Sequence, residues 1–387
     1  MNIVFFTHPS FQSHQSMPRF AKMLGDGMLK RGHQINFWSP KARFNKLPVP
    51  DSLKKWMGYI DQYIVFPLEA RMRMRRCAWD TLFVFTDHAL GPWIPLTANK
   101  PHAIHCHDFL AQRSALGEIE HNKTGWSGKK YQSFIFNGYS KGKFFISVSE
   151  KTRQDLEHFL PSNPKRSDMV YNGLNQSFVP VAREEARHVL SNATGMNLSG
   201  GFILHVGGNQ WYKNRKGVIE IYNAWRSATA SEVIPLLLVG YKPDAGLQEV
   251  YEASPFKKDI HVLTGLNDEL VRMAYAGASV FLFPSLAEGF GWPIAEAMAS
   301  GCAVITTDAA PMTEVAGNAA LLIPLCVQAA NTIWAKQGAA AIDQILLETE
   351  EEKNMRIEKG IENAKRFDAE HALDQIDGIY KEIVASF

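Results

Sequence analysis

The sequence lacks several features that would narrow its class at once. No run of about eighteen apolar residues occurs, which argues against a membrane-spanning helix. Cysteine is scarce. Cys77, Cys106, Cys302 and Cys326 are scattered, with no Cys-x-x-Cys pair. A zinc site is therefore not expected, and reduced thiols in the cytoplasm are. The opening residues, MNIVFFTHPS, carry no basic leader and no small-residue cleavage site, and they read as a buried strand rather than a signal peptide. No solenoid repeat is present. Net charge is only +2, with 46% apolar and 21% charged residues, as in an ordinary globular protein.

At 387 residues the chain suits two domains better than one core. Its halves differ in charge. Residues 1–200 hold 26 Lys and Arg against 15 Asp and Glu, and residues 201–387 hold 15 against 24. The basic half suits an anionic lipid or acceptor, or serves solubility alone.

Short apolar runs alternate with amphipathic segments. Strands are predicted at 2–7, 34–39, 103–107, 143–149, 201–207, 234–240, 259–265, 279–285 and 302–307. Helical patterns fall at 16–33, 150–160, 215–229, 266–277 and 293–300. This alternation implies α/β domains with parallel sheets covered on both faces. Residues 176–199 are polar and turn-rich and read as a linker. The predicted domains are 1–175, joined by a returning helix at 368–387, and 200–367, facing one another across a cleft.

The stretch PSLAEGFGWPIAEAMASGCAVIT, Pro284 to Thr306, has the densest chemistry. A strand enters a loop with Glu288, Gly289, Phe290 and Gly291. Pro293 then marks a helix start. The next amides, of Ile294 and Ala295, are expected to be free to bind phosphate. Glu296 is expected in the first helical turn, at its third position. Carboxylates there suit the vicinal hydroxyls of a ribose or hexose. A glycine-rich turn with one capping glutamate is the plainer alternative.

Residues 288–324, EGFGWPIAEAMASGCAVITTDAAPMTEVAGNAALLIP, resemble the signature of the retaining glycosyltransferases of family 4, of GT-B fold. The Glu-x7-Glu motif carries the resemblance, supported by HCHDFL, VYNGLN, HVGGNQWYKN and HVLTGLNDELVRMAYAGASVFLFPS. It implies a fold of two Rossmann-like doubly wound domains. It also implies that Glu288, with the backbone of Gly289, Phe290 and Gly291, contacts the donor sugar. Pro293 and Ile294 would sit at the phosphates, and Glu296 on the ribose. Lys213 would hold the diphosphate, with Arg215 or Lys216 as a second cation. Gly265, Leu266 and Asn267 would hold the base. His107 would be the active-site histidine, donating to a sugar hydroxyl. Asp108 would position its loop or fix its tautomer. Ser10 and Phe11 would lie on the acceptor side, where many relatives have a glycine pair; Gln12 and Ser13 follow them. Trp292 would pack on the donor or cover the helix start.

The implied reaction is retaining hexosyl transfer in polysaccharide or glycoconjugate synthesis, from a nucleotide-sugar to a glycan or lipid-linked glycan. UDP-glucose is the first expectation for the donor, with GDP-mannose and UDP-N-acetylglucosamine behind it. No Asp-x-Asp motif lies in the site region, so neither metal nor cofactor is expected. A sugar-nucleotide epimerase and a non-catalytic nucleotide-sugar binder are the rival readings. Arg71, Arg73, Arg75 and Arg76, with Lys54, Lys55 and Trp56, suit either peripheral docking on the inner face of a membrane or a solvated helix face. Nucleic acid is not an expected partner, since no recognition motif accompanies the charge.

Overall fold

The apolar runs become short parallel strands, the central ones buried on both faces and edge strands such as Gln34–Trp38 partly exposed. In the computed structural model, residues 1–11, 16–174, 177–229, 233–326 and 332–387 are described. They divide into two units, Met1–Tyr171 with Glu370–Phe387, and Asn172–Ala369.

The first unit holds β1 (Asn2–Phe6), β2 (Gln34–Trp38), β3 (Leu82–Phe85), β4 (His102–Cys106), β5 (Phe144–Ser147) and β6 (Arg166–Met169). They form one parallel sheet in the order β2-β1-β3-β4-β5-β6. Ile3, Val4, Phe5 and Phe6 are all buried, as a doubly covered strand requires. Phe6 stacks on Phe85 at 4.7 Å and meets Phe66 and Trp38 edge-on.

Helix Ala369–Ala385 packs on this sheet through Tyr380, Ile376 and Ile383. Its polar ties are specific. Arg31 donates to Asp374 and Glu370, and His33 Nε2 lies 2.6 Å from Asp377 Oδ1. His105 Nε2 meets the Tyr380 hydroxyl at 2.6 Å.

The second unit holds β7 (Ile203–Gly207), β8 (Leu236–Gly240), β9 (Ile260–Leu263), β10 (Val280–Phe283), β11 (Val304–Thr307) and β12 (Leu321–Ile323). Their parallel order is β12-β11-β10-β7-β8-β9. Helix Arg215–Ala228 buries Val218, Ile221, Tyr222 and Trp225, the helical spacing of one apolar stripe. Trp225 Nε1 keeps a partner, Asp343 Oδ1, at 2.7 Å.

Three strands lie outside the predicted runs. β3 is a four-residue run wholly inside the sheet, β6 is a polar edge strand, and β12 has only three residues. The segment predicted as linker also differs. It contains helix Arg183–Thr194, which buries Ala186 and Leu190 and ends at Gly195 with φ of 72°. The second unit thus begins well before residue 200.

Candidate active site

Parallel strands place their following loops along one sheet edge, the usual ligand edge of such folds. In the second unit the loops after β7 and β10 are laced together there. Leu286 N donates to Tyr212 O at 2.7 Å, and Asn214 Nδ2 to Pro284 O at 3.0 Å. Asn214 takes a left-handed conformation, φ 50°, and its side chain caps helix Arg215–Ala228 through Gly217 N. This turn projects Lys213 toward the second loop.

Lys213 Nζ lies 2.8 and 3.0 Å from the two oxygens of Glu288. Both side chains are largely buried, at 14% and 7% exposed. Ser285 Oγ donates to Glu288 Oε1 at 2.9 Å, and the Ser285 carbonyl is held by Thr307 Oγ1 at 2.7 Å. Lys213 also lies 5.0 Å over the Phe283 ring. Two residues predicted from separate motifs are therefore one ion pair between two braced loops.

Glu296 Oε2 accepts from the buried Tyr275 hydroxyl at 2.8 Å. The helix start differs from expectation. Helix Trp292–Ala299 begins one residue before Pro293, with Gly291 at its N-cap and φ of 105°. Glu296 is the fifth helical residue and lies beyond the first turn. The Ile294 amide is not free either, since it donates to Gly291 O at 3.0 Å. Trp292 Nε1 reaches Gly173 O at 3.4 Å, and its ring meets Phe290 edge-on. Phe290 itself is buried against Phe367.

Arg215 is 4% exposed. Its Nη1 donates to Asn209 Oδ1 and Tyr241 O at 2.5 and 2.9 Å. Its Nε and Nη2 are buried without a partner among the described residues. Burial lowers its pKa against the pull of Asp244. Lys216, by contrast, is exposed. Gly265, with φ of 72°, and Asn267 form an exposed loop after β9. The Asn267 side chain is spent on capping Leu270 N, which leaves the backbone of Gly265 and Leu266 as the available surface.

In the first unit His107 follows β4. Its Nε2 lies 2.9 Å from Thr86 O, an acceptor only, so this nitrogen carries the proton. Burial lowers the His107 pKa, and the neutral ring keeps its lone pair on Nδ1. His107 therefore presents an acceptor, where the sequence reading had it donating. Asp108 does not set this tautomer. Its Oδ1 accepts from Leu110 N at 3.0 Å and fixes the loop. His105 faces Tyr380, and burial drops its pKa to about 3. Ser10 is exposed, and the Phe11 ring lies beside Gly58. Gln12 and Ser13 lie outside the described residues.

The sequence reading missed a charged group on the same edge. Asp87, after β3, receives His8 Nε2 at 2.9 Å and has His88 Nδ1 at 3.1 Å. Burial alone would raise the Asp87 pKa, but the two histidines hold it well below the usual range. Its position at a strand end was the available signal, lost because β3 was not recognised as a strand.

Two doubly wound α/β units, each with polar residues along its carboxyl edge, define a GT-B class protein. Residues 201–342 match the model for "Glycosyl transferases group 1", and residues 17–178 the model for "Glycosyltransferase Family 4". The chain belongs to glycosyltransferase family 4. It is 27% identical over 253 residues to O-antigen chain mannosyltransferase B of Escherichia coli, covering 64% of this chain and 62% of that one. It is 25% identical over 198 residues to O-antigen chain mannosyltransferase RfbU of Salmonella typhimurium, covering 50% and 51%. The matched region thus spans under two thirds of each curated relative. The sucrose-phosphate synthase of Thermosynechococcus elongatus shares the fold, with a TM-score of 0.74, 16% identity and full coverage of both chains.

Proposed function

We propose that the protein transfers a mannosyl residue from a nucleotide-activated mannose to a growing glycan or lipid-linked glycan, in the synthesis of an O-antigen-type polysaccharide. The observation that carries the reading is the buried Lys213–Glu288 pair, held between the loops after β7 and β10. Lys213 and Glu288 neutralise one another at a ligand edge. A diphosphate-sugar offers each a better partner: Lys213 the diphosphate, and Glu288 the hydroxyls of the sugar. Glu296, already oriented by Tyr275, takes the ribose hydroxyls, and the loop Gly265–Asn267 the base. Arg215 adds a second, inner positive charge behind Lys213.

The relatives named above as mannosyltransferases move the proposal from UDP-glucose to mannose, with GDP-mannose as the first donor to test. In the reaction the bond from the anomeric carbon to the diphosphate breaks. A bond to the acceptor oxygen forms on the same face, with retention, and the acceptor's proton passes to the departing phosphate. Charge on that phosphate is stabilised by Lys213 and Arg215 without a metal. His107 Nδ1 accepts a hydrogen bond from a sugar hydroxyl.

The protein works at the inner face of a membrane, docked through the first unit. Leu53, Trp56, Ile64, Leu68 and Met72 are exposed on the helical segment 51–74. Among the described residues none of Arg71, Arg73, Arg75 and Arg76 forms an ion pair. Exposed apolar side chains beside unpaired arginines suit an anionic lipid surface.

The test is nucleotide release from GDP-mannose and UDP-glucose, with bacterial membrane extract as acceptor and chelator present. Release of GDP that needs the extract, with label entering glycan, is the expected result. Turnover of donor without acceptor would favour an epimerase, and no turnover of either donor would overturn the reading.

A further inference from the structure

A cavity lies on one face of the first sheet, along β1 and β2. It measures about 480 Å³ and is lined by Asn2 of β1, Asn36 and Trp38 of β2, Arg73, Arg76 and Thr81, among others. Asn2 opens β1, and Thr81 immediately precedes β3. Val4 and Asn36 lie mid-strand and Trp38 ends β2, so the cavity runs along the face of the β1–β2 pair. His8, Asp87 and His107, in the loops after the strands, are not among its lining residues.

Its chemistry is one-sided. Two arginines line it and no carboxylate does. Neither Arg73 nor Arg76 has an acid partner among the described residues. Arg73 instead lies 5.7 Å over the Trp38 ring, a cation–π contact that does not neutralise its charge. Asn2 and Asn36 bring amide donors beside the apolar Val4 and Trp38. Thr81 is 1% exposed, and its Oγ1 has no hydrogen-bond partner among the described residues. A buried hydroxyl left without a partner is costly, and a ligand oxygen in the cavity would supply one.

We propose that this cavity is a binding site for a phosphate group, held by Arg73 and Arg76 with Thr81 and the two asparagines completing its hydrogen bonds. Guanidinium groups pair with phosphate oxygens two at a time, and a tetrahedral oxyanion accepts donors from several directions at once. The phosphate comes either from a lipid headgroup or from a soluble phosphate ester. Met72 and Trp79, both exposed, flank the cavity in sequence and would enter the interface in the first case. The site is independent of donor binding in the second unit.

The test uses the full chain with two probes. One is glycerol 3-phosphate, followed by calorimetry. The other is phosphatidylcholine vesicles doped with phosphatidylglycerol, followed by co-sedimentation. Arg73→Gln with Arg76→Gln is compared with Arg71→Gln with Arg75→Gln, which removes equal charge from residues outside the cavity lining. For glycerol 3-phosphate, which reads the cavity apart from general surface charge, the expected loss is on the order of thirtyfold for the first pair and much less for the second. Thr81→Val should weaken binding by about fivefold. If that variant melts early, the exposed arginine pair decides alone. Vesicle binding that glycerol 3-phosphate displaces identifies a headgroup, and binding of the ester alone identifies a soluble ligand; both support the site. Absence of glycerol 3-phosphate binding, or equal loss of that binding in the two arginine pairs, overturns it.

Discussion

Glu288 and Glu296 share a motif yet sit in different surroundings. Glu288 is buried against Lys213 and Ser285, while Glu296 is half-buried on a helix and tied to Tyr275. Under the proposed function, the first would respond to charge that changes during reaction and the second would hold an unchanging part of the donor. Glu296→Gln should weaken donor binding about tenfold with turnover largely kept. Glu288→Gln should lower turnover about a hundredfold with a smaller effect on binding. Titration calorimetry and steady-state rates separate the two, and equal effects on both readouts would contradict the division. The identities of these residues were legible because the motif is long and specific. Their partners were not. Nothing in the sequence joins Lys213 to Glu288, 75 positions apart. The His107 tautomer depends on a carbonyl from a neighbouring strand, Thr86 O.

At the scale of elements, the strands that alternate with clear helices were legible, and the short or polar ones were not. β6 is stabilised by its sheet neighbour rather than by any propensity of Arg-Ser-Asp-Met. β3 was overlooked as only four residues, yet it brings Asp87 to the ligand edge. Close approach between elements was equally hidden. Helix Trp126–Tyr139 crosses the segment His88–Thr97 so tightly that a Cβ at Gly138 would lie 2.1 Å from Gly91 O and 2.8 Å from Pro92 N. Those are backbone atoms and cannot rotate away. Gly138→Ala should cost about 3 kcal/mol. Gly378 in helix Ala369–Ala385 has nothing within 4 Å of such a Cβ, and Gly378→Ala should stabilise by about 0.5–1 kcal/mol. Urea midpoints read both, and a neutral Gly138→Ala would refute the backbone contact.

At the scale of the molecule, each unit carries a buried neutral histidine. Burial lowers His105 and His205 to about 3, with His107 adding to the first and Arg215 and Lys213 to the second. The unfolded chain, titrating near 6.5, binds more protons between those values, so stability falls as pH drops through 6.5 toward 3. Each histidine should cost on the order of 2 kcal/mol between pH 7 and 5. Asp87 acts lower, its stabilisation present above the ordinary carboxylate range near 4 and lost as pH falls below it. Urea midpoints that do not drop from pH 7 to 5 would contradict this. The central claim is that the laced loops after β7 and β10 hold a donor diphosphate. Calorimetric titration of GDP-mannose and UDP-glucose into the wild type and Lys213→Met tests it most directly. One donor should bind the wild type and lose at least about tenfold in the variant. Binding that Lys213→Met leaves unchanged, or no binding of either donor, would contradict it.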